Sequence, residues 1–272
     1  MSCKLKIGVM LYHHGEPEEP INKVKALGLQ SCQVGWNPGT PVEKGIALKA
    51  AADAAGIEVN TLWAGLPGPA VWNFTHGPHT IGLVPVQWRA QRVEALQQAA
   101  VVAGQIGVQS ITTHAGFIPE NPGDPLYRET VYALQEVCGT CAAAGVEFWF
   151  ETGQETPITL LRTIEDIGTG NVFINLDPAN ILMYGKGNPV DALDVFGKFV
   201  HGVHAKDGEY PTEGAELGHE KPMGEGRVNF PALVPKLKDC GFCGTLTIER
   251  EISGDQQVAD IKRAVGILEP LC

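Results

Sequence analysis

The chain has 272 residues, of which 44% are hydrophobic, and its formal net charge is −11. It can bury a large core, and no Ser/Pro-rich linker or low-complexity tract marks a domain boundary. The negative charge argues against nucleic acid as a partner, because phosphate backbones require clustered lysine and arginine. No apolar run reaches the roughly 18 residues of a membrane span, and the first ten residues leave no room for a signal peptide. We therefore expect one domain, residues 1–272, of a cytoplasmic protein that binds neither nucleic acid nor membranes.

Apolar, β-prone runs alternate with helical patterns along the whole chain. The predicted strands are Leu5–Leu11, Ser31–Trp36, Glu58–Trp63, Ser110–Thr113 and four runs that begin at Glu147, Val172, Val200 and Gly244. The predicted helices are Pro20–Leu29, Val42–Ala55, Pro85–Ile106, Pro125–Ala144, Ile158–Ile167, Pro189–Phe199, Phe230–Asp239 and Gly254–Leu268. Eight such strand–helix units predict an α/β fold, the (β/α)₈ TIM barrel. An open doubly wound sheet is the alternative, but it would usually carry a phosphate-binding glycine fingerprint after its first strand, and residues 12–15 read YHHG.

Two connections are much longer than the others. Residues 64–84 form a Gly/Pro-rich loop with Trp72, His76 and His79, and residues 208–228 form the second long loop. Loops of this length in a barrel are typically functional, so we expect the first to be a lid or rim loop.

Four successive strands end in residues that bind metals. They are Glu151, Asp177, His204 and Glu249, at the ends of the fifth to eighth strands. The carboxyl ends of barrel strands meet at one face, where barrel active sites lie. Buried charges there are costly unless they share a partner, and a divalent cation would be that partner.

The alternation of side chains along a strand supports this arrangement. Counting back by twos from the strand ends, with His114 ending the fourth strand, gives small or polar residues, namely Thr247, Thr245, Gly202, Asn175, Thr112 and Ser110. The opposite positions are apolar, namely Ile248, Leu246, Val203, Leu176, Ile174 and Ile111. We therefore expect the first set to face the barrel interior and the second to face the helices. Trp149 has the same parity as Glu151 and is expected to form the floor of the pocket.

Five motifs resemble those of one known family. They are FETG (150–153), NLDPAN (175–180), VHAKD (203–207), GEGRVNF (224–230) and TIERE (247–251). The chain is similar to the sugar phosphate isomerase/epimerase superfamily, the xylose isomerase-like TIM barrels that include ketose 3-epimerases, hydroxypyruvate isomerases and inosose dehydratases. The ordered set of Glu, Asp, His and Glu on strands five to eight carries the resemblance, and it spans nearly all eight units.

The resemblance implies a site and a reaction. Glu151, Asp177, His204 and Glu249 would bind one divalent metal ion, and Glu151 and Glu249 would also act as catalytic acid and base. The oxygen-rich ligand set suits Mn²⁺, Co²⁺ or Mg²⁺, with Zn²⁺ as a further candidate. The implied enzyme is an isomerase or epimerase of a keto-sugar or sugar derivative, which abstracts a proton to form a metal-bound enediolate. Its partner would be a small sugar, and a homodimer or homotetramer is the assembly to expect.

Substrate contacts are expected from His114, Asn180, Lys206, Trp36, Trp63 and His13. Each has a structural alternative: a buried histidine with satisfied hydrogen bonds, a salt bridge of Lys206 to Asp207 or another strand end, or tryptophans packed under loops. Asn180 stands where ketose epimerases have a substrate-binding histidine, and Tyr210 stands where they have an arginine. The substrate is therefore expected to differ from a free ketohexose.

Three other functions stay open at this point. A lyase or dehydratase acting on a keto-sugar or inosose would use the same proton abstraction and then expel a leaving group. A non-catalytic sugar-binding barrel is disfavoured by the two glutamates. A hydrolase like endonuclease IV would need further metal ligands where this chain has Trp63, Asn180 and Leu217, and the net charge of −11 argues against it.

The seven cysteines include two CxxC pairs, Cys138/Cys141 and Cys240/Cys243. The pairs belong to well-separated helices of the predicted barrel, so a shared zinc site is disfavoured. An odd number of cysteines without a secretion signal predicts free thiols.

Overall fold

Parallel strands close into a barrel, which confirms the predicted α/β fold. The computed structural model describes residues 4–12, 16 and 18–272. Its strands are β1 (Lys6–Leu11), β2 (Ser31–Trp36), β3 (Glu58–Ala64), β4 (Ser110–Thr113), β5 (Glu147–Glu151), β6 (Val172–Leu176), β7 (Val200–Ala205), β8 (Asp207–Gly208), β9 (Glu220–Lys221) and β10 (Thr245–Ile248). Around the barrel the order is β1-β10-β7-β6-β5-β4-β3-β2, and β8 pairs with β9 in a separate two-stranded sheet. The prediction of a single domain over residues 1–272 stays a prediction.

Helices follow the barrel strands and cover the barrel. They are α1 (Glu18–Ala26), α2 (Val42–Ala55), α3 (Gly77–Thr80), α4 (Val86–Ile106), α5 (Pro125–Ala143), α6 (Pro157–Ile167), α7 (Pro178–Met183), α8 (Pro189–Phe196), α9 (Phe230–Asp239) and α10 (Asp255–Leu268), with 3₁₀ turns at Gly197–Phe199 and Glu269–Leu271. Most lie within three residues of the predicted bounds. No helix in the described part of the chain combines the length and the apolar character that a membrane crossing requires.

Local sequence signals explain where these helices begin and end. The Asp124 carboxylate accepts a hydrogen bond from the Leu126 amide at 2.8 Å and caps α5. Asn188 caps α8 in the same way through the Val190 amide. Gly107 ends α4 in the left-handed conformation, with φ of 72°, which glycine adopts without the penalty of a Cβ.

The short helix α7 was not predicted, and it matters for the site. The Asp177 carboxylate accepts a hydrogen bond from the Asn180 amide at 2.8 Å, and Pro178 occupies the first helical position. The NLDPAN motif is therefore a strand end and a helix start in one segment. This turn fixes the Asp177 carboxyl group and places Asn180 one helical turn away from it.

Apolar side chains that point away from the barrel interior form the core beneath the helices. The six predicted outward residues, Ile111, Ile174, Leu176, Val203, Leu246 and Ile248, are each at most 2% exposed and belong to the hydrophobic core. The polar inward set is also buried; for example, Thr112 donates to the Trp149 carbonyl at 2.9 Å. The predicted division of the strands into two faces is confirmed.

Trp149 points into the barrel interior, as its parity predicted, while its role as the floor of the pocket stays a prediction. Its side chain is 1% exposed, and its indole nitrogen donates to Glu147 at 2.7 Å at the start of the same strand. The neighbouring Gly202 leaves room for the ring: a Cβ on Gly202 would lie 2.7 Å from Trp149 and 2.5 Å from the Asn175 amide oxygen. Real Cβ contacts are longer than this, so the ring requires glycine on β7.

Both long loops are tied to the barrel by buried charged side chains. Arg92 on α4 donates to the carbonyl groups of Pro67, Pro69 and Gly82 in the first loop, at 3.0, 2.8 and 2.7 Å. Asp207 accepts backbone hydrogen bonds from the second loop, at the amides of Gly224, Gly226 and Val228, and one from Gly208. These hydrogen bonds pair backbone carbonyl and amide groups that would lose their partners if the loops moved away from the barrel.

The cysteines correct one expectation. Cys32, Cys138, Cys141, Cys240 and Cys272 are free, as predicted. Cys243 is disulfide-bonded, so the prediction of free thiols throughout was wrong. An odd number of cysteines leaves at least one of them unpaired, but it does not exclude a single disulfide.

Candidate active site

The four predicted strand-end residues come together at the carboxyl face of the barrel. Glu151, Asp177, His204 and Glu249 each offer one ligand atom, and these atoms lie within 4.8 Å of one another. The four side chains are at most 4% exposed. His204 Nδ1 lies 3.2 Å from Glu151 Oε1 and 3.2 Å from Glu249 Oε2, and 3.9 Å from Asp177 Oδ2. The cluster therefore surrounds one point from strands β5, β6, β7 and β10.

The ring orientation of His204 is set from the far side by Gln33 on β2. His204 Nε2 lies 2.8 Å from Gln33 Oε1, and Gln33 Nε2 donates to Asn175 Oδ1 at 3.0 Å. Because Gln33 Oε1 can only accept, Nε2 carries a proton, and Nδ1 is the nitrogen that faces the carboxylates. Nδ1 donates to them when the ring is protonated and offers its lone pair to a cation when the ring is neutral. This is the arrangement of a histidine that is held ready for a cation.

The two glutamates each keep one oxygen away from His204, and an aromatic donor contacts that oxygen. The Trp63 indole donates to Glu151 Oε2. The Tyr12 hydroxyl donates to Glu249 Oε1 at 2.9 Å. Glu151 Oε1 and Glu249 Oε2 face the centre of the cluster, so each carboxylate has one inner and one outer oxygen.

Lys206 is a buried cation beside the cluster, at 1% exposure. Its ammonium lies 3.5 Å from Asp177 Oδ2 and 3.3 Å from Glu249 Oε2, and it also donates to Glu251. Asn180 Oδ1 is 3.4 Å away. The structural alternative of a salt bridge to another strand end is therefore realised, at Asp177 and Glu249. The Asp207 carboxylate instead accepts hydrogen bonds from the loop amides.

Burial and charge act in opposite directions on the cluster. Burial raises the pKa of Asp177 to about 7, with Lys206 opposing the rise and Glu249 adding to it. Burial also opposes ionisation of Glu249, but Lys206 and His204 outweigh it and lower the pKa of Glu249 to about 2. Although burial lowers the pKa of His204, the charges of Glu249 and Glu151 raise it well above the usual value. The carboxylates are thus a concentrated source of negative potential.

A cavity of about 490 Å³ opens onto this cluster. Its wall includes Glu151 and Glu249, and of the predicted substrate-binding residues it includes Trp63, His114 and Asn180. His114 Nε2 lies 3.4 Å from Glu151 Oε1. Trp72 from the first long loop also lines the cavity, with its ring 5.1 Å from that of His114. The loop therefore forms part of the rim, as expected.

Trp36 is not brought to this site. It is 7% exposed and packs beside Gly45 of α2, in the layer between barrel and helices. The reason is parity: Gln33 points into the barrel, so Trp36, three positions later, points out. His13 lies outside the described residues. Tyr210 is exposed and donates to the Gly187 carbonyl at 3.3 Å.

Three polar residues contact the cluster or Lys206 but were not predicted from the sequence, namely Gln33, Tyr12 and Glu251. Gln33 could have been found, because it is a polar residue between the apolar Cys32 and Val34 in a strand. Tyr12 and Glu251 carry no such signal, since a tyrosine after a strand and a glutamate in a turn are common on any surface. Their contacts to Glu249 and Lys206 depend on the closure of the barrel.

Comparison with known proteins agrees with this geometry. The family model for xylose isomerase-like TIM barrels matches residues 21–271. The chain belongs to the xylose isomerase-like TIM barrel family. The predicted membership in that superfamily is therefore confirmed.

Several relatives can be compared with this family member. A crystal structure of a xylose isomerase domain protein from Planctomyces limnophilus is 34% identical, with a TM-score of 0.91 over 98% of this chain and 97% of that one. An uncharacterised protein of Methanocaldococcus jannaschii is 28% identical over 60% of this chain, and the match spans 58% of that relative's length.

Two more distant structures share the fold. The 3-keto-D-glucoside 4-epimerase of E. coli is 17% identical, with a TM-score of 0.74 over 98% of this chain and all of that one. A xylose isomerase-like TIM barrel protein from Mycobacterium smegmatis, solved in complex with magnesium, is 14% identical, with a TM-score of 0.70 over 98% of each chain.

The residues of the cluster fit a divalent cation. Asp177 Oδ2 is buried and accepts no hydrogen bond from the described residues, while Asp177 Oδ1 is occupied by the Asn180 amide. Three carboxylates and one imidazole form a hard donor set of the kind that Mg²⁺ and Mn²⁺ take. The cluster could therefore bind a metal ion, with Asp177 Oδ2 as a ligand atom that has no hydrogen-bond partner among the described residues.

Proposed function

We propose that this protein is a divalent-metal-dependent isomerase or epimerase of a keto-sugar or sugar derivative. The observation that carries the proposal is the placement of Glu151 and Glu249 on either side of His204, each 3.2 Å from Nδ1, at the wall of one cavity. Carbon-centre inversion or isomerisation needs one group to take a proton and one to return it. Two carboxylates that flank the same space meet that need.

Glu151 Oε1, Asp177 Oδ2, His204 Nδ1 and Glu249 Oε2 would hold the metal ion. When bound, Mn²⁺, Co²⁺ or Mg²⁺ supplies a Lewis acid that polarises a substrate carbonyl and makes the adjacent C–H acidic. The donor chemistry favours these ions over Zn²⁺, which binds preferentially to histidine and cysteine in closed sites. The Mycobacterium smegmatis structure holds magnesium, which agrees with this ranking.

The protein's own groups would then move the proton. Glu151 Oε2 and Glu249 Oε1, the oxygens turned away from His204, are the atoms that take and return it. The Trp63 indole and the Tyr12 hydroxyl already donate to them and would hold each oxygen in position. Lys206 keeps Glu249 ionised, as the lowered pKa of that carboxyl indicates. A keto-sugar substrate is in keeping with the E. coli neighbour, a 3-keto-D-glucoside 4-epimerase.

Deuterium incorporation tests the proposal. The Mn²⁺-loaded protein is incubated in D₂O with a panel of keto-sugars, and recovered sugars are analysed by mass spectrometry and NMR. We expect deuterium at a carbon next to the carbonyl and a new epimer or isomer. Thorough chelation of the metal should abolish the exchange, and so should Glu151→Gln or Glu249→Gln alone. Glu94→Gln, on the surface of α4, should leave the exchange unchanged.

The same assay separates the competing functions. A dehydrated or cleaved product would identify a lyase that shares the proton abstraction. A non-catalytic sugar-binding barrel would be favoured if a sugar binds but shows no exchange with Mn²⁺, Co²⁺ or Mg²⁺, and if the two glutamine variants bind that sugar as tightly as the parent. Undiminished exchange after chelation would refute the metal-dependent mechanism.

A further inference from the structure

The outer face of helix α5 carries the most exposed large apolar side chain among the described residues. Tyr132 is 62% exposed, whereas Val131, Leu134 and Val137 on the inner face of the same helix are each at most 5% exposed. Tyrosine is enriched in protein–protein interfaces, because its ring offers a large contact area at a small cost in conformational entropy. Single exposed apolar residues are common, however, so the neighbours of Tyr132 determine what this surface can bind.

Tyr132 lies midway between two exposed side chains of opposite charge. Arg128 precedes it by four residues and Glu136 follows it by four, so the three side chains form one stripe along the helix. Arg128 and Glu136 are about 12 Å apart along the helix axis, which is too far for an ion pair between them. Neither forms an ion pair with any residue that the structure describes. The adjacent Glu129, by contrast, is paired with Arg89 on α4 at 2.7 Å.

The sequence of α5 leaves these two charges uncompensated within the helix. Counter-charges on a helix stand three or four residues away, as Lys49 and Asp53 do in α2. The residues at those distances from Arg128 are Thr130's neighbour Val131 and Tyr132, and those from Glu136 are Tyr132, Ala133, Gly139 and Thr140. None of them carries a charge. Arg128 and Glu136 are therefore available to a partner.

The order of the side chains along the stripe is complementary to itself when reversed. A two-fold axis through Tyr132, perpendicular to the stripe, places Arg128 of one copy opposite Glu136 of a second copy, and the same contact recurs at the other end. Rows of side chains at four-residue spacing interdigitate when two helices cross at about −50°, the commonest packing class. A partner surface of uniform charge would instead face one like charge on this stripe. The charge pattern thus favours a second copy of the same chain, in the two-fold arrangement most common among soluble oligomers.

We infer that α5 is an interaction surface through which two copies of this protein pair in antiparallel orientation, with Tyr132 at the centre and an Arg128–Glu136 contact on each side. Helix α5 connects β4 to β5 on the flank of the barrel, so this pairing leaves the cavity at the carboxyl face open. The inference does not depend on the reaction proposed above. A contact through one helix of a convex barrel buries less than the about 800 Å² per partner of a standard interface, so we expect a weak dimer.

Charge reversal tests this pairing. Sedimentation velocity is measured over about 5–500 μM protein at low salt, where exposed ion pairs are least screened. We expect the parent to dimerise, and Arg128→Glu and Glu136→Arg each to weaken dimerisation at least about 30-fold, because two attractive contacts become two repulsive ones. An equimolar mixture of the two variants should form a heterodimer, since one copy is then acidic and the other basic at both positions. The double variant, Arg128→Glu with Glu136→Arg, should dimerise like the parent.

Controls and contrary results are equally specific. Lys262→Glu, at an exposed position of α10 across the barrel from α5, should leave dimerisation unchanged. Circular dichroism should show that every variant is folded, because both reversed positions are exposed. The inference is wrong if the parent stays monomeric over the whole concentration range, or if Arg128→Glu associates as well as the parent. It is also wrong if the mixed variants fail to associate, since that result would assign any loss to something other than the predicted contact.

Discussion

Replacement of Gln33 by methionine tests whether His204 is a metal ligand held from behind. Methionine keeps the unbranched shape of the side chain but removes the oxygen that lies 2.8 Å from His204 Nε2. Loss of such a supporting contact typically lowers metal affinity by about 10–100-fold, or about 1.4–2.8 kcal/mol. Metal affinity falls because the imidazole ring can rotate and because its Nδ1 becomes a weaker electron-pair donor to the metal.

The same change should also reduce stability. His204 Nε2 and Asn175 Oδ1 both lose a partner in a fully buried position. An unsatisfied buried polar group costs about 1–3 kcal/mol. For a protein of this size we expect the melting temperature of the metal-free form to fall by several degrees.

The assay is calorimetric titration of Mn²⁺ into metal-free protein, combined with thermal unfolding. Gln33→Glu is the matched variant, because it keeps an acceptor for His204 Nε2. The Asn175 Nδ2 group, which has no hydrogen-bond partner among the described residues, could then turn and donate to the new carboxylate. Gln30→Met, at an exposed position before β2, controls for the substitution itself. The reasoning is refuted if Gln33→Met binds Mn²⁺ as tightly as the parent, or if Gln33→Glu loses as much affinity as Gln33→Met.

Three further predictions concern the barrel around the site. Gly202→Ala should destabilise the protein by about 1–3 kcal/mol in urea unfolding, since its Cβ would meet Trp149, whereas Gly139→Ala in α5, with open space around it, should be neutral or stabilising. Asp207→Asn should cost about 2–3 kcal/mol, because its amide would face loop N–H groups, and exposed Asp239→Asn should cost little. Burial raises the pKa of Glu147, but hydrogen bonds from His201 and Trp149 hold it below the usual value, so this carboxylate stabilises the fold above about pH 4.5 and loses that contribution as the pH falls. The acid limb of a stability–pH curve should therefore flatten in Glu147→Gln, and an unchanged limb would contradict this.

The barrel and the four-residue cluster could be predicted because both depend on local rules. Strand alternation determines which residues face inward, and parallel strands bring their carboxyl ends to one face. Trp36 obeys the same rule: it lies three positions after Gln33 and therefore points outward. The expectation of a substrate contact there rested on residue type alone, and the structure places the ring against α2.

Contacts across the barrel could not be predicted from the sequence. Gln33 on β2 reaches His204 on β7, although β1 and β10 lie between these strands. The distance between Gln33 and His204 depends on how the barrel closes. The register shifts at Cys32/Gln33 and at Ile174/Asn175 adjust it locally. This pairing follows from the three-dimensional shear of the sheet rather than from spacing along the chain. Tyr12 and Glu249 instead follow the neighbouring strands β1 and β10, and their contact depends on the pairing of the first barrel strand with the last.

The charges of the site bear on which ion it can hold. When ionised, Glu151, Asp177 and Glu249 contribute three negative charges, and the buried Lys206 ammonium lies against two of them. A His204 ring that bound a cation through Nδ1 would be neutral, and a dication would then leave these four side chains and Lys206 without net charge. A monovalent ion would leave one carboxylate uncompensated in a site that is at most 4% exposed, which is unfavourable in a medium of low dielectric constant. If the cluster binds a metal ion, we expect Lys206 to influence the charge of the preferred ion without contacting it. In Lys206→Met, calorimetric titration should show that Tb³⁺ gains affinity relative to Mn²⁺, and an unchanged ratio of the two affinities would contradict this.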